Sequence, residues 1–206
     1  ANVFPAIIKS IEDKHNLKSD VKTADVRAIL FIEDTPKYYS SILPILYREI
    51  IQNTKRLIDK SLNNSQKILH MRARPKIILI KNYKEAIKYI ESYRYNILGI
   101  ISDLKFPHKA SKEKYAGIRL IKHLKKIDSG IPIIFQSTEK KIESISKKYS
   151  VVVINKNSNQ LFKQLRKFMF DNLGFGDFKF RLPSGKLIKE ISSIKKLAEY
   201  IKLVPA

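Results

Sequence analysis

Short apolar runs alternate with longer amphipathic segments between about residues 27 and 173 of the chain. Each short run is nearly continuous in Ile, Leu or Val, which is typical of strands that are buried on both faces of a parallel sheet. The five predicted strands are Ala28–Ile32, Lys76–Ile80, Ile97–Ser102, Ile131–Gln136 and Val151–Ile154. This alternation predicts an α/β fold, with a doubly wound parallel sheet of five strands connected by helices.

The segments between the strands show the periodicity of amphipathic helices, most clearly at Tyr83–Tyr93 and Gly117–Ile127. Another helix is expected directly after the first strand, because Thr35-Pro36 combines a capping residue with a proline at the first helical position. Pro44 is expected to kink or break that helix. Asn63-Asn64-Ser65 is expected to be a turn that separates it from a second helical piece.

The residues before the first strand are expected to be an attachment to this domain. Phe4–Leu17 predicts a short amphipathic helix, in which Ile7, Ile8 and Ile11 form an apolar face that needs a surface to pack on. Lys18–Ala24 then predicts a polar connector to the first strand.

A second attachment is expected after the last helix of the domain. Phe178–Leu182 and Lys186–Ile188 alternate with period two around Pro183-Ser184-Gly185, which predicts a β-hairpin. Ser193–Leu203 predicts a last helix. The predicted organisation is an N-terminal helix and connector over 1–26, the main domain over 27–173, and a C-terminal hairpin and helix over 174–206.

Composition limits the class of protein to which the chain can belong. Its 206 residues give room for one ordinary domain with extensions. The absence of cysteine excludes disulfides, thiolate nucleophiles and cysteine-bound metals, and it favours a cytoplasmic location. No apolar run reaches the roughly 18 residues that a membrane span needs, so no interaction with a membrane is expected.

The chain is strongly basic, with 41 Lys and Arg against 19 Asp and Glu and a formal net charge of +22. Such an excess favours attraction to nucleic acid or to another anionic surface. However, the basic residues are spread along the whole chain, mostly as lysines at the polar positions of amphipathic segments. Solvated helix faces therefore explain the positive charge better than a surface dedicated to nucleic acid. Nucleic-acid binding, which salt would weaken steeply, is a third hypothesis beside the two that the site residues suggest below.

Charged and hydroxyl side chains stand at the ends of four predicted strands. Glu33 and Asp34 follow the first strand, Asp103 the third, Ser137 the fourth and Lys156 the fifth. In an open parallel sheet, the functional crevice lies beyond the carboxyl ends of the strands, where the strand order reverses. If the order is 2-1-3-4-5, three carboxylates converge there with a hydroxyl and an ammonium group beside them.

This combination of groups suits phosphoryl chemistry with a bound divalent cation. Clustered carboxylates raise one another's pKa unless a cation compensates, and Mg²⁺ prefers such oxygen ligands. With the metal bound, Asp103 can act as a nucleophile toward phosphorus and form an acyl phosphate. Lys156 would neutralise charge on the transferred group, and Ser137 would hydrogen-bond one of its oxygens.

Five sequence landmarks follow one another along these strand ends. They are Phe31-Ile32-Glu33-Asp34, Ile100–Pro107, Gly117–Leu120, Pro132–Ser137 and Asn155-Lys156. In order and in position they resemble the two-component response-regulator receiver domains, and the match covers roughly residues 27–173. The resemblance implies a flavodoxin-like sheet of order 2-1-3-4-5 and a bound Mg²⁺ or Mn²⁺. The site residues that it implies are Asp103 as phosphoacceptor, Ser137 and Lys156 as its catalytic partners, and Glu33, Asp34, Asp103 and the carbonyl of Lys105 as metal ligands.

The resemblance also implies the partners of the domain. A histidine kinase or a small-molecule phosphodonor would supply the phosphoryl group, and the domain would catalyse the transfer to its own Asp103 without being a stand-alone enzyme. Two departures favour an alternative, in which a pseudo-receiver keeps the fold and serves as a protein-interaction or homodimer scaffold. Asn157 follows Lys156 where the family usually has proline, and Val153 stands where many members have an aromatic residue. A Mg²⁺ titration separates the two hypotheses.

The flanking residues carry a narrower resemblance. Glu33–Pro44, Phe175-Gly176-Asp177-Phe178 and the closing Val204-Pro205 are similar to receiver-containing bacterial proteins with a phosphoenolpyruvate synthase-like or pyruvate dikinase-like region downstream. This similarity implies that the chain is a regulatory fragment of a larger protein. The nucleotide- and pyruvate-handling residues would then lie in a catalytic region of the same polypeptide.

Overall fold

The computed structural model describes most of the chain. The described residues are 3–59, 61, 63–72, 74–108, 111–113, 116–127, 130–138, 142–149, 151–173, 178–181 and 187–191. Within these ranges, no helix is both long enough and apolar enough to cross a membrane.

The central sheet confirms the predicted fold class and strand order. The described strands are β1 Ala28–Ile32, β2 Lys76–Ile80, β3 Ile97–Asp103, β4 Phe106–His108, β5 Ser111–Glu113, β6 Ile133–Ser137, β7 Val152–Asn155, β8 Phe178–Arg181 and β9 Leu187–Ile191. The five-stranded sheet has the order β2-β1-β3-β6-β7, and each adjacent pair is parallel. Counting only these five strands, the order is 2-1-3-4-5. The carboxyl ends of β1 and β3 are therefore neighbours at the point where the strand order reverses.

Helices cover both faces of this sheet. The described α-helices are α1 Val3–Ala24, α2 Pro36–Asp59, α3 Asn64–Arg72, α4 Tyr83–Tyr93, α5 Ala116–Ile127, α6 Ile142–Tyr149 and α7 Leu161–Asn172. Leu43 of α2 and Leu165 of α7 belong to the apolar cluster on one face of the sheet. Ile90 of α4 and Leu120 of α5 belong to the cluster on the other. Burial on both faces explains why the strands are almost continuously apolar.

The N-terminal helix differs from two expectations. α1 continues to Ala24, so the polar connector that Lys18–Ala24 predicted is wrong, and these residues form the last turns of the helix. The predicted apolar face is also wrong, because Ile8 and Ile11 are exposed. The buried residues of the helix are instead Ala6, Ser10, Asp13 and Leu17.

The buried face of α1 contains polar residues because it covers the free edge of β2. Asp13 Oδ2 accepts a hydrogen bond from the Ile77 N–H at 3.1 Å, and Lys14 Nζ donates to the Leu79 carbonyl oxygen at 3.4 Å. An uncovered edge strand exposes such backbone groups to pairing with another chain. The helix therefore supplies hydrogen-bond partners to this edge of the sheet, where none of the described strands pairs with β2.

Asp13 also contacts a hydroxyl group and two cationic side chains from other parts of the fold. The Tyr47 hydroxyl donates to Asp13 Oδ2 at 2.9 Å, and burial together with the Asp13 carboxylate raises the pKa of Tyr47, so the hydroxyl keeps its proton. Arg74 Nη2 and Lys76 Nζ lie 3.3 and 3.5 Å from Asp13 Oδ1. The carboxylate is fully buried and compensated on all sides, as a buried charge must be.

Replacing Asp13 by alanine is expected to destabilise the whole domain. The change leaves two cations, a hydroxyl and a backbone N–H without their acceptor, so the free energy of unfolding should fall by about 2 to 5 kcal/mol. Urea denaturation followed by circular dichroism measures this loss. Glu12→Ala is the matched control, because Glu12 is half exposed on the same helix. An equal, small loss in both variants would contradict this account of α1.

Two expectations about the long first crossover have different outcomes. α2 continues through Pro44, so of the two effects expected from this proline, a kink or a break, the break does not occur. Proline removes one helical hydrogen bond, but the apolar face on both sides of it, including the fully buried Leu43, is packed into the core, and tertiary packing supplies most helix stability. The chain does leave the helix near the predicted turn Asn63-Asn64-Ser65, although α3 already begins at Asn64.

Two antiparallel hairpins accompany the parallel sheet. β4 pairs with β5 in the segment that follows β3, which the apolar pattern did not predict. β8 pairs with β9, which confirms the hairpin predicted from the alternation on both sides of Pro183-Ser184-Gly185. The last helix that Ser193–Leu203 predicts lies outside the described residues.

Candidate functional site

The predicted site residues lie together at the carboxyl ends of four strands of the sheet. Glu33 and Asp34 follow the fully buried β1, and Asp103 is the last residue of β3. Ser137 ends β6 and is buried, and Lys156 directly follows β7. The positions follow from the parallel register, since neighbouring strands of such a sheet end on the same side.

Lys156 is the centre of the site. Its Nζ lies 2.5 Å from Glu33 Oε2 and 2.8 Å from Asp103 Oδ2. The side chains of Lys156 and Glu33 are 2% and 0% exposed, so water screens this ion pair very little. The Lys156 N–H donates to the Ser137 carbonyl oxygen at 2.8 Å, which fixes the start of the loop relative to β6.

Three carboxylates form a compact cluster, and two of them contact this ammonium group. One oxygen atom each of Glu33, Asp34 and Asp103 lies within 4.8 Å of the others. Burial and the nearby Asp103 carboxylate raise the pKa of Glu33, and Lys156 opposes that rise. Three ionised carboxylates and one ammonium group leave a formal charge of −2, which one divalent cation would neutralise. The donor atoms are hard oxygens of the kind that Mg²⁺ and Mn²⁺ prefer, so the residues fit such an ion.

The loop after β3 is held close to Asp103 by backbone contacts. The Lys105 N–H donates to Asp103 Oδ1 at 3.3 Å, and the Leu104 N–H donates to the Gln136 carbonyl oxygen at 2.9 Å. The Leu104 carbonyl oxygen accepts from the Gly117 N–H at 3.0 Å. A Cβ atom at position 117 would lie 2.8 Å from that oxygen, which explains why glycine begins the landmark there. The approach of α5 to this loop thus depends on the missing side chain.

Tyr38 is a site residue that the sequence did not predict. The near-helical spacing of Tyr38, Tyr39 and Tyr47 predicts packing or interface residues rather than ligands. The ring centroid of Tyr38 lies 4.3 Å from Lys156 Nζ, in the range of a cation–π contact. The ring of Tyr39 instead lies 5.3 Å from Lys81 Nζ. Only the position of Tyr38 in the first turn of α2, directly after the acidic pair, could have indicated its role.

The contact of Tyr38 with Lys156 is expected to appear as a coupling energy between the two side chains. In a double-mutant cycle with Tyr38→Leu and Lys156→Met, measured by urea denaturation without divalent cations, the coupling should be about 1 to 2 kcal/mol. Tyr38→Phe should keep most of it, because phenylalanine retains the ring face. Additive losses in the double variant would show that the ring does not stabilise the ammonium group.

Asn157 and Val153, the two departures from the receiver pattern, have different surroundings. The peptide between Lys156 and Asn157 is trans. The Asn155 side chain accepts from the Asn157 N–H at 2.8 Å, so a side-chain turn shapes the loop where the family usually has proline. Val153 is half buried against the small apolar cluster that contains Phe135.

Comparison with known proteins gives a likeness in fold. No protein-family model matches the sequence, and no curated protein matches it. Among solved structures, a response regulator receiver domain protein from Clostridium thermocellum has a TM-score of 0.49 at 14% identity, covering 72% of this chain and 94% of that chain. The HemR receiver domain from Leptospira biflexa has a TM-score of 0.47 at 16% identity, covering 72% and 94%.

A third similar structure is the response regulator protein TrrA from Thermotoga maritima, described in complex with Mg²⁺-BeF. It has a TM-score of 0.46 at 18% identity and covers 69% of this chain and 99% of that chain. At these identities, the likeness to all three proteins concerns the fold alone. The chemistry of the site must be argued from its own residues.

Proposed function

We propose that this chain is a receiver domain in which Asp103 accepts a phosphoryl group. The observation that carries the proposal is the buried contact of Lys156 with both Glu33 and Asp103, beside the carboxylate of Asp34. A nucleophilic carboxylate, a fixed counter-ion and two further carboxylates are the groups that phosphoryl transfer to aspartate uses. The five sequence landmarks support the same reading independently of these distances.

The proposed step is an in-line displacement at phosphorus. A carboxylate oxygen of Asp103 attacks the phosphorus atom and forms a new O–P bond. The bond between phosphorus and the leaving group of the donor breaks, and the leaving group departs with the electron pair. Lys156 stabilises the negative charge of the transferred oxygens, and the hydroxyl of Ser137 donates a hydrogen bond to one of them.

Glu33, Asp34 and Asp103, together with the carbonyl oxygen of Lys105, would bind Mg²⁺ or Mn²⁺. When bound, such a cation would neutralise negative charge on the phosphoryl oxygens. The three carboxylates would then not depend on Lys156 alone for a counter-ion. Lys156 could then leave Asp103 and bind the transferred group instead.

The phosphoryl group would come from a histidine kinase or from a small-molecule phosphodonor such as acetyl phosphate. The chain would catalyse transfer to its own aspartate, and its output would be a change of state rather than a released product. The flanking residues support one further proposal, which is a regulatory role beside a phosphoenolpyruvate synthase-like or pyruvate dikinase-like region. That role predicts that phosphorylation changes the turnover of ATP and pyruvate by the longer protein.

A Mg²⁺ titration tests the proposed site. We expect millimolar or tighter binding. The fluorescence of the tyrosines should report it, because the Tyr38 ring contacts Lys156, the counter-ion of the cluster. Asp34→Asn should weaken binding at least tenfold, whereas Asp59→Asn, an exposed aspartate at the end of α2, should leave it unchanged. Absence of binding to the natural chain would favour the pseudo-receiver, in which Lys156 is the permanent counter-ion and the fold serves as a scaffold.

A further inference from the structure

Gln136 is a buried polar residue without hydrogen bonds from its side chain. It lies near the end of β6 and is 0% exposed, and neither its amide nitrogen nor its amide oxygen has a partner among the described residues. Most buried polar atoms in proteins are hydrogen-bonded, because an unpaired one loses its hydration and gains nothing in return. The role of this amide in the structure is therefore unexplained by the fold.

The sheet register brings Gln136 beside the proposed phosphoacceptor. Gln136 is the direct partner of Asp103 on β3 and of Ile154 on β7. Residues in register on parallel strands project from the same face, as Ile101 and Ile134 do in the apolar cluster below α2 and α7. The amide and the Asp103 carboxylate thus belong to one row of side chains across the sheet.

Both oxygens of Asp103 already have donors in the present structure. Oδ1 accepts from the Lys105 N–H at 3.3 Å, and Oδ2 lies 2.8 Å from Lys156 Nζ. The Gln136 amide is not one of these donors while the carboxylate is free. Transfer of a phosphoryl group would change this arrangement, because one oxygen becomes the bridging oxygen of an acyl phosphate and the negative charge moves outward to the phosphoryl oxygens.

We propose that Gln136 is a positioning residue whose amide N–H donates a hydrogen bond to Asp103 only after phosphoryl transfer. The inference rests on the proposed function and adds to it a residue that distinguishes the two states. When Lys156 follows the charge to the phosphoryl group, Asp103 loses this donor, and Gln136 is its neighbour in the sheet. The unpaired amide destabilises the free state, and its pairing stabilises the phosphorylated one.

The proposal makes a prediction that separates it from a merely structural role. Gln136→Met, which keeps the length of the side chain and removes the amide, should raise the urea midpoint of the free chain. The same change should shorten the lifetime of the aspartyl phosphate by roughly 3- to 10-fold, the effect of one hydrogen bond. It should also reduce the rise in melting temperature on adding Mg²⁺ and beryllofluoride, a mimic of the phosphoryl group. Gln136→Leu should give the same results. Agreement between the two variants would show that the effects do not come from poor packing of one new side chain.

Gln164→Met is the matched control, because Gln164 is exposed on α7. This substitution should leave the urea midpoint, the phosphate lifetime and the rise in melting temperature unchanged. Equal stabilisation of the free and the beryllofluoride-bound chain by Gln136→Met, with an unchanged phosphate lifetime, would overturn the proposal while the natural chain still becomes phosphorylated. Failure of the natural chain to take up phosphoryl or beryllofluoride groups would overturn the proposed function as well, so the two failures are distinguishable.

Discussion

Asp103→Asn is expected to abolish covalent phosphorylation of the chain and to leave its fold intact. An amide is a far weaker nucleophile than a carboxylate, and no other described carboxylate has the same pair of donors from Lys105 and Lys156. Asparagine has nearly the shape of aspartate, and its amide oxygen can still accept from the Lys105 N–H. Incorporation of radiolabelled phosphoryl groups from acetyl phosphate in the presence of Mg²⁺ measures the loss.

Asp59→Asn serves as the control for the change of charge, because it removes an exposed carboxylate at the end of α2. It should be labelled as fast as the natural chain. Circular dichroism should show the same helix content in all three proteins. Undiminished labelling of Asp103→Asn would mean that another residue is the acceptor.

Lys156→Met is expected to have the largest effect on stability. It leaves the fully buried Glu33 carboxylate and the mostly buried Asp103 without their cation, and breaking such a pair costs about 3 to 5 kcal/mol. The pKa of Glu33 is already raised by burial, so proton uptake by Glu33 should limit the loss, and the variant should lose less stability at acidic pH. Urea denaturation without divalent cations measures the effect.

Mg²⁺ should restore part of the stability of Lys156→Met, because the proposed metal ligands remain in place. Lys147→Met, which removes an exposed lysine of α6, should change the free energy of unfolding by less than about 0.5 kcal/mol. If Mg²⁺ stabilised neither Lys156→Met nor Lys147→Met, the cluster would not be a metal site.

The strands and the approximate positions of the site residues could be predicted because both depend on local patterns. Continuous apolar runs such as Ala28–Ile32 are difficult to bury except in a doubly covered sheet, and parallel strands end on one side. Glu33, Asp103 and Lys156 therefore had to lie near one another once the strand order was known. The order itself came from the resemblance of the landmarks and not from the periodicity.

The N-terminal helix could not be predicted because its packing depends on a distant backbone. The count of apolar residues favoured Ile8 and Ile11 as the buried face. In the structure, no described strand lies beside the outer edge of β2, and Asp13 satisfies the Ile77 N–H there. The Ile77 N–H needs this acceptor only once the sheet has assembled. The spacing of residues within α1 therefore does not reveal it.

Gln136 and Tyr38 show the same limit within the site. Gln136 is the last and only polar residue of its predicted strand, which is a weak signal, because strand ends are often polar. Its complete burial and its register with Asp103 become visible only when β3 and β6 pair. The ring of Tyr38 reaches Lys156 across 118 positions of the sequence, a separation that no local pattern spans.

The central claim is that Asp103 becomes an acyl phosphate in a reaction that needs a divalent cation. Mass spectrometry of the natural chain after incubation with acetyl phosphate tests it most directly, with Mg²⁺ in one sample and a chelator in the other. The account predicts a gain of one phosphoryl group with Mg²⁺ only, located to the peptide that contains Asp103 and removed by hydroxylamine. No gain under conditions that label a control receiver, or a gain at another residue, would contradict it.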